Sequence, residues 1–152
     1  MTRRRYVQTC VEAPEGADGD GLRRLLQQVL TVVSASWAAV TDVDLVGEAR
    51  ESLLTPSDEI RIIPMLRLLT LLEQAKQVVW ANVFLCATRQ AAEQITASED
   101  YVPALSKAEA LVRVVDAGYY YVYGPVDQIE SVRRELAGED KEGFLEELDF
   151  PE

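Results

Sequence analysis

No glycine occurs between residues 48 and 117. Glycine is the usual residue where a chain must turn through left-handed backbone or pass close to other backbone. A stretch this long without one favours long helices, which need no such turns in their interior. The glycines gather outside it, at Gly16, Gly19, Gly21 and Gly47 before and at Gly118, Gly124, Gly138 and Gly143 after. Inside it, residues 60–87 (IRIIPMLRLLTLLEQAKQVVWANVFLCA) are the most apolar run of the chain. The sequence therefore predicts a helical core, with glycine-punctuated segments around it.

At 152 residues the chain suits one domain. A domain of that size buries roughly 68–70% of its unfolded surface and needs no metal or disulfide to fold. Residues 1–138 read as that domain and residues 139–152 (EDKEGFLEELDFPE) as an acidic tail. Hydrophobic residues at 48% and charged residues at 27% argue against wholesale disorder. The formal net charge of -11 repels phosphates and anionic lipid and steers basic proteins inward. A basic protein partner is expected, with no nucleic acid and no membrane. Arg3, Arg4 and Arg5 precede residues 6–13 (YVQTCVEA), which are too short and polar for a secretory signal. Arg61, Arg67, Glu73 and Lys76 interrupt the apolar run. A central charge costs about 2.5–3.5 kcal/mol on membrane insertion. The expected setting is cytoplasmic, with Cys10 and Cys86 as reduced thiols.

Residues 5–11 (RYVQTCV) carry the β-branched composition of a strand. Leu22, Leu25, Leu26, Val29 and Val33 repeat at helical spacing, with Asp20 placed to cap the helix. Residues 37–46 (WAAVTDVDLV) mix a helical face with strand-favouring valines, and we read them as a kinked helix. Residues 48–54 suit a short helix, and Thr55-Pro56 a new start, with a kink at Pro64. Residues 78–87 (VVWANVFLCA) have the composition of a buried strand. Yet no turn residue separates them from the helix-favouring residues 71–77. Leu69, Leu72, Lys76, Val79, Val83 and Cys86 also continue a helical face. The sequence predicts one helix over 64–96 and another from Pro103 or Ser106 to a cap at Gly118. Residues 119–123 (YYYVY) suit a strand pairing with 5–11, and residues 125–138 a last helix with a Val126, Ile129, Val132 and Leu136 stripe. The expected fold is mostly α: an antiparallel helical bundle with a small peripheral strand pair at 5–11 and 119–123. The alternative is α+β, with residues 78–87 as a central strand.

The chain has no histidine, which removes the usual triads and histidine metal sites. No phosphate loop, dinucleotide fingerprint or nucleophile elbow occurs. Asp18-Gly19-Asp20-Gly21 resembles a piece of a calcium loop, without the further oxygen ligands or the closing glutamate. Cys10 and Cys86 make no zinc or redox spacing. No cofactor is expected, and the balance is against catalysis.

One enzyme reading stands. Asp44, Glu48 and Glu51, at i, i+4 and i+7 of a helix, would form a row for a hard divalent cation in a metal-dependent hydrolase. Glu48-Ala-Arg-Glu51 resembles the E-x-x-E element of all-α nucleotide pyrophosphohydrolases. That family's second acidic pair is missing: Glu73 is followed by Gln-Ala-Lys and Glu109 by Ala-Leu-Val.

Two segments are candidate partner surfaces. Tyr119, Tyr121 and Tyr123 share one face of a strand, and tyrosine is enriched at interface hot spots. Phe144, Leu145, Leu148 and Phe150, set among acids, would make an amphipathic helix that docks in a groove. Asn82 reads as a hydrogen-bonded amide in the core. The function expected is a small acidic, helix-rich module that inhibits or escorts a more basic protein, in the manner of antitoxins, immunity proteins or secretion chaperones. A structural helical homo-oligomer, burying the apolar surface of residues 60–87, is the remaining alternative.

Overall fold

The structure, a computed structural model, describes residues 5–13, 16–56, 58–97, 102–137 and 143–149. It is a sheet-rich α+β fold and corrects the helical bundle. Its strands are β1 (Arg5–Glu12), β2 (Trp37–Gly47), β3 (Arg61–Pro64), β4 (Ala75–Cys86), β5 (Ala110–Val115), β6 (Tyr119–Pro125) and β7 (Gly143–Asp149). They form one sheet in the order β3-β2-β4-β5-β6-β1-β7, antiparallel at every pairing. The first six make its body, and β7 extends it beyond β1. The helices are α1 (Gly19–Leu30), α2 (Arg50–Leu53), α3 (Met65–Leu72), α4 (Arg89–Glu93), α5 (Val102–Leu105) and α6 (Val126–Ala137).

The helix expected over 64–96 is in fact α3, β4 and α4. At its C-terminal end β4 is buried on both faces. Val83 and Leu85 enter one core, Phe84 and Cys86 the other. A strand buried on both sides reads as a continuous apolar run, which periodicity cannot tell from a buried helix. The kinked helix expected over 37–46 fails for the same reason: Ala38, Ala39, Val40 and Thr41 of β2 are all buried.

Pro64 kinks nothing. It ends β3, and α3 starts at the next residue. Thr55 starts no helix, and is bridged instead to Val43. The helix expected to end at Gly118 is α5, β5 and a turn. The strands at 5–11 and 119–123 do lie side by side, with Glu12 opposite Tyr119 and Val7 opposite Gly124. They belong to the body of the sheet, however, and are no peripheral pair. Within the stretch read as a tail, β7 pairs with β1.

Helices cover the two faces unequally. Over the first face lie α1, α3 and α6. Leu22, Leu26, Val29, Leu68, Leu72, Ile129 and Val132 pack there with Val40, Leu45, Val83, Leu85, Val112 and Val122. Over the second face, among the described residues, lies only the connection between β4 and β5. It presses Ala92, Ile95, Ala104 and Leu105 onto Ala39, Phe84, Leu111 and Tyr123.

Only Glu73 and Gln74 separate α3 from β4, and neither is a glycine. The room for so tight a turn comes from residues distant in sequence. A Cβ on Gly19 would lie 2.5 Å from the Ala75 carbonyl oxygen and closer still to that of Leu72. A Cβ on Gly47, at φ 127, would lie 2.5 Å from the Gln74 oxygen and 2.8 Å from the Lys76 nitrogen. Two bordering glycines thus close on the turn that the glycine-free stretch makes without one.

Gly19→Ala is therefore expected to lose at least about 3 kcal/mol of stability in urea denaturation, since backbone lies in the way. Gly118→Ala is the control. Its new Cβ meets nothing nearer than the Asp116 oxygen at 3.6 Å, and it should stay within about 1 kcal/mol of the parent.

Candidate functional site

Half of the second sheet face has no helix over it among the described residues. Its side chains are set by strand register. Thr41 lies opposite Asn82, Asn82 opposite Arg113, Arg113 opposite Tyr121, and Tyr121 opposite Cys10. This row crosses β2, β4, β5, β6 and β1. Hydrogen bonds link its first three residues: Asn82 Nδ2 donates to Thr41 Oγ1 at 3.3 Å, and Arg113 Nε donates to Asn82 Oδ1 at 2.9 Å. Further along, the Tyr121 phenol is bonded to the Cys10 thiol. That bond, then burial, holds the phenol above its ordinary value.

A second row lies beyond the first, away from α4 and α5. Asp44 sits opposite Trp80, Val115 opposite Tyr119, and Tyr119 opposite Glu12. Two bulges put these residues there. Between Thr41 and Asp44, β2 carries the extra residue, and Asp42 takes φ 50. Between Asp44 and Leu45, β4 carries it at Val79. Bulges bend a strand and re-aim its side chains. Here they keep Leu45 and Val78 in the first core while Asp44 and Trp80 stay on the second face.

The turn from β5 to β6 places Tyr119. Asp116 and Ala117 have φ 52 and 54, and the Gly118 N–H donates to the Val115 oxygen at 3.1 Å. This is the primed hairpin turn, built here without glycine at its two central positions. Neighbours hold it in that shape. The Ala117 N–H donates to the Val79 oxygen at 2.9 Å, and the Ala17 and Ala13 N–H groups donate to the Ala117 and Gly118 oxygens.

Exposure marks this half-face out. Among the described residues the exposed large apolar side chains are Val46 (51%), Leu66 (80%), Trp80 (37%) and Tyr119 (42%). Leu66 is on α3. The other three lie on the bare half of the second face, with Glu12, Asp44 and Gln77 exposed beside them. Single exposed apolar residues are ordinary, whereas a group of them is informative.

The residues singled out from sequence fall in several places. Tyr119, Tyr121 and Tyr123 share the second face, but Tyr123 is buried at 1% under the β4–β5 connection. Phe144, Leu145 and Leu148 belong to β7, opposite Cys10, Thr9 and Tyr6, and so to a strand where a helix was expected. Phe150 lies outside the described residues. Asp44 is in β2, Glu48 between β2 and α2, and Glu51 in α2, so no helix carries them as a row. Among the described residues no three of His, Cys, Asp and Glu group to hold a metal ion.

Asp18, not Asp20, caps α1, accepting from the Gly21 N–H at 2.6 Å. Asp20 instead pairs with Arg23 at 2.5 Å and Arg24 at 3.2 Å, and the Arg23 bond holds its carboxyl below the usual range. Both carboxylates of the calcium-like segment thus have protein partners.

The cysteines are buried and free. Burial pushes the Cys86 thiol up to about 11, with the Glu109 charge adding to it. Burial also raises Cys10, although the Tyr121 bond works against it. Neither is poised as a thiolate nucleophile. β1 and β4 stand three strand spacings apart, about 14 Å, too far for a bridge.

Sequence reasoning missed Trp80 and Arg113, and it read Asn82 as a hydrogen-bonded amide, which it is, though half-buried on the second face and not in the core. Their signal was the two-residue period of positions 80, 82 and 84 and of 111, 113 and 115. No helix of the described residues is long and apolar enough to cross a membrane. Comparison with protein-family models, curated proteins and solved structures finds no match.

Asn82→Ala removes the middle of the hydrogen-bonded row and is expected to cost about 1–3 kcal/mol in urea denaturation. Asn82→Asp keeps an acceptor for Arg113, and its loss should be the smaller of the two.

Proposed function

We propose that this chain is an acidic protein-binding module that holds a more basic protein on the bare half of its second sheet face, inhibiting or escorting it. The observation that carries the proposal is the grouping of Val46, Trp80 and Tyr119, exposed on one face: Val46 and Trp80 are on the adjacent strands β2 and β4, and Tyr119 is on β6, one strand beyond β5. Tryptophan and tyrosine are the usual anchors of interfaces, and truncating such a hot spot costs 2 kcal/mol or more, in round terms about thirtyfold in affinity. Exposed Glu12 and Asp44 on the same face, and the net charge of -11, favour a cationic partner over an anionic one.

The two rival readings draw less support. The hydrolase needed the helical carboxylate row, and Asp44, Glu48 and Glu51 share no helix. The homo-oligomer needed spare apolar surface in residues 60–87. Most of that surface in β4 faces inward, at Val78, Ala81, Val83, Phe84, Leu85 and Cys86, which leaves Leu66 on α3 and Trp80 as its large exposed apolar side chains.

The test is affinity capture from the native cell, run in parallel with the wild-type chain and the double variant Trp80→Ser/Tyr119→Ser. Urea denaturation first confirms that the variant is folded. The wild type should retain one or more proteins of net positive charge, and the variant should lose them about tenfold or more. Equal retention by both chains, or a captured set that is acidic, would contradict the proposal.

A further inference from the structure

The size and chemistry of the bare half-face limit what can occupy it. It spans β2, β4, β5, β6 and β1, five strands set about 4.8 Å apart, hence about 19 Å across. Its two full rows of side chains, Thr41 to Cys10 and Asp44 to Glu12, add about 14 Å in depth, with Val46 one step beyond them on β2. That is on the order of 300 Å², well short of the roughly 800 Å² per partner of a standard interface between globular proteins. One secondary-structure element fits it and a whole protein face does not.

The backbone decides which element. The occupant lies on a sheet face, where the N–H and C=O groups of the strands are already paired with each other. An extended segment laid flat there would bury its own backbone groups without partners. A helix satisfies them internally. With a diameter of about 10–12 Å, a helix of about 13 residues would be about 20 Å long and would match the span. Helices already form both layers on this sheet, and α4 and α5 cover the adjoining half of this same face.

The surface chemistry agrees. Trp80 and Tyr119 offer apolar anchors, with Val46 beside Trp80. Glu12 on β1 and Asp44 on β2 stand exposed at opposite ends of their row. The Asn82 amide and Arg113 Nε already hydrogen-bond within the protein. A second copy of this chain would bring its own charge of -11 and its own acids to the contact.

We infer, resting on the docking face proposed above, that this half-face takes one amphipathic helix of the basic partner, laid across the strands beside α4 and α5, with apolar side chains on Val46, Trp80 and Tyr119 and lysine or arginine toward Glu12 and Asp44.

The experiment is to pan a phage library of random peptides of about 16 residues, long enough for about 24 Å of helix, against the full chain. Survivors are then re-bound to the folded Trp80→Ser/Tyr119→Ser variant. The expected survivors are basic, repeat apolar residues at i, i+3 or i+4 and i+7, and bind the variant at least about tenfold more weakly. Basic survivors whose apolar residues alternate every second position would overturn the helix and leave the basic-partner proposal standing. Survivors that bind the variant equally well would overturn the site. Acidic or neutral survivors would overturn the helix inference and the basic partner together. A library that yields no binder above background would overturn the docking helix.

Discussion

Every layer of this protein meets β4. It pairs with β2 on one side and β5 on the other, and it contributes to both apolar clusters. Such a strand has to be threaded into the middle of the sheet, and α3 delivers it through a turn of two residues. The turn is possible because Gly19, at the start of α1, and Gly47, at the end of β2, leave room for its backbone. α1, β2 and β4 are thereby locked to one another at one point. The first face is covered from there outward by α1, α3 and α6.

That arrangement explains why β1, α1, β6 and α6 were legible and β2 and β4 were not. The N-terminal strand, α1, β6 and α6 each carry local signals: β-branched runs, helical spacing and flanking glycine or proline. β2 and β4 lack them. Where both faces are buried their apolar residues run continuously, so the alternation at positions 80, 82 and 84 was too short to set against the helical spacing of Leu72, Val79, Val83 and Cys86. The turn that would have announced β4 has no glycine of its own. Its glycines, Gly19 and Gly47, sit 55 and 27 residues before Gln74.

The candidate site was legible only in part. Three tyrosines on one strand face follow from alternation alone, and Tyr119 and Tyr121 do reach the bare half. Which tyrosine is exposed depends on where the β4–β5 connection lies, and nothing local to residues 119–123 encodes that. Trp80, Asn82 and Arg113 join them through register between strands far apart in sequence, adjusted by bulges at Asp42 and Val79. The acidic row of Asp44, Glu48 and Glu51 failed with the helix that was to carry it. Asp44 kept a place on the second face as an exposed acid beside Trp80.

Asn82 lies where fold and site coincide, so nuclear Overhauser contacts from its side-chain amide are the most direct measurement. The account predicts contacts to Thr41 on β2 and Arg113 on β5 together, with strand-like Cα shifts from Ala75 to Cys86. Sequential helical contacts through that segment, with Asn82 near neither residue, would contradict it.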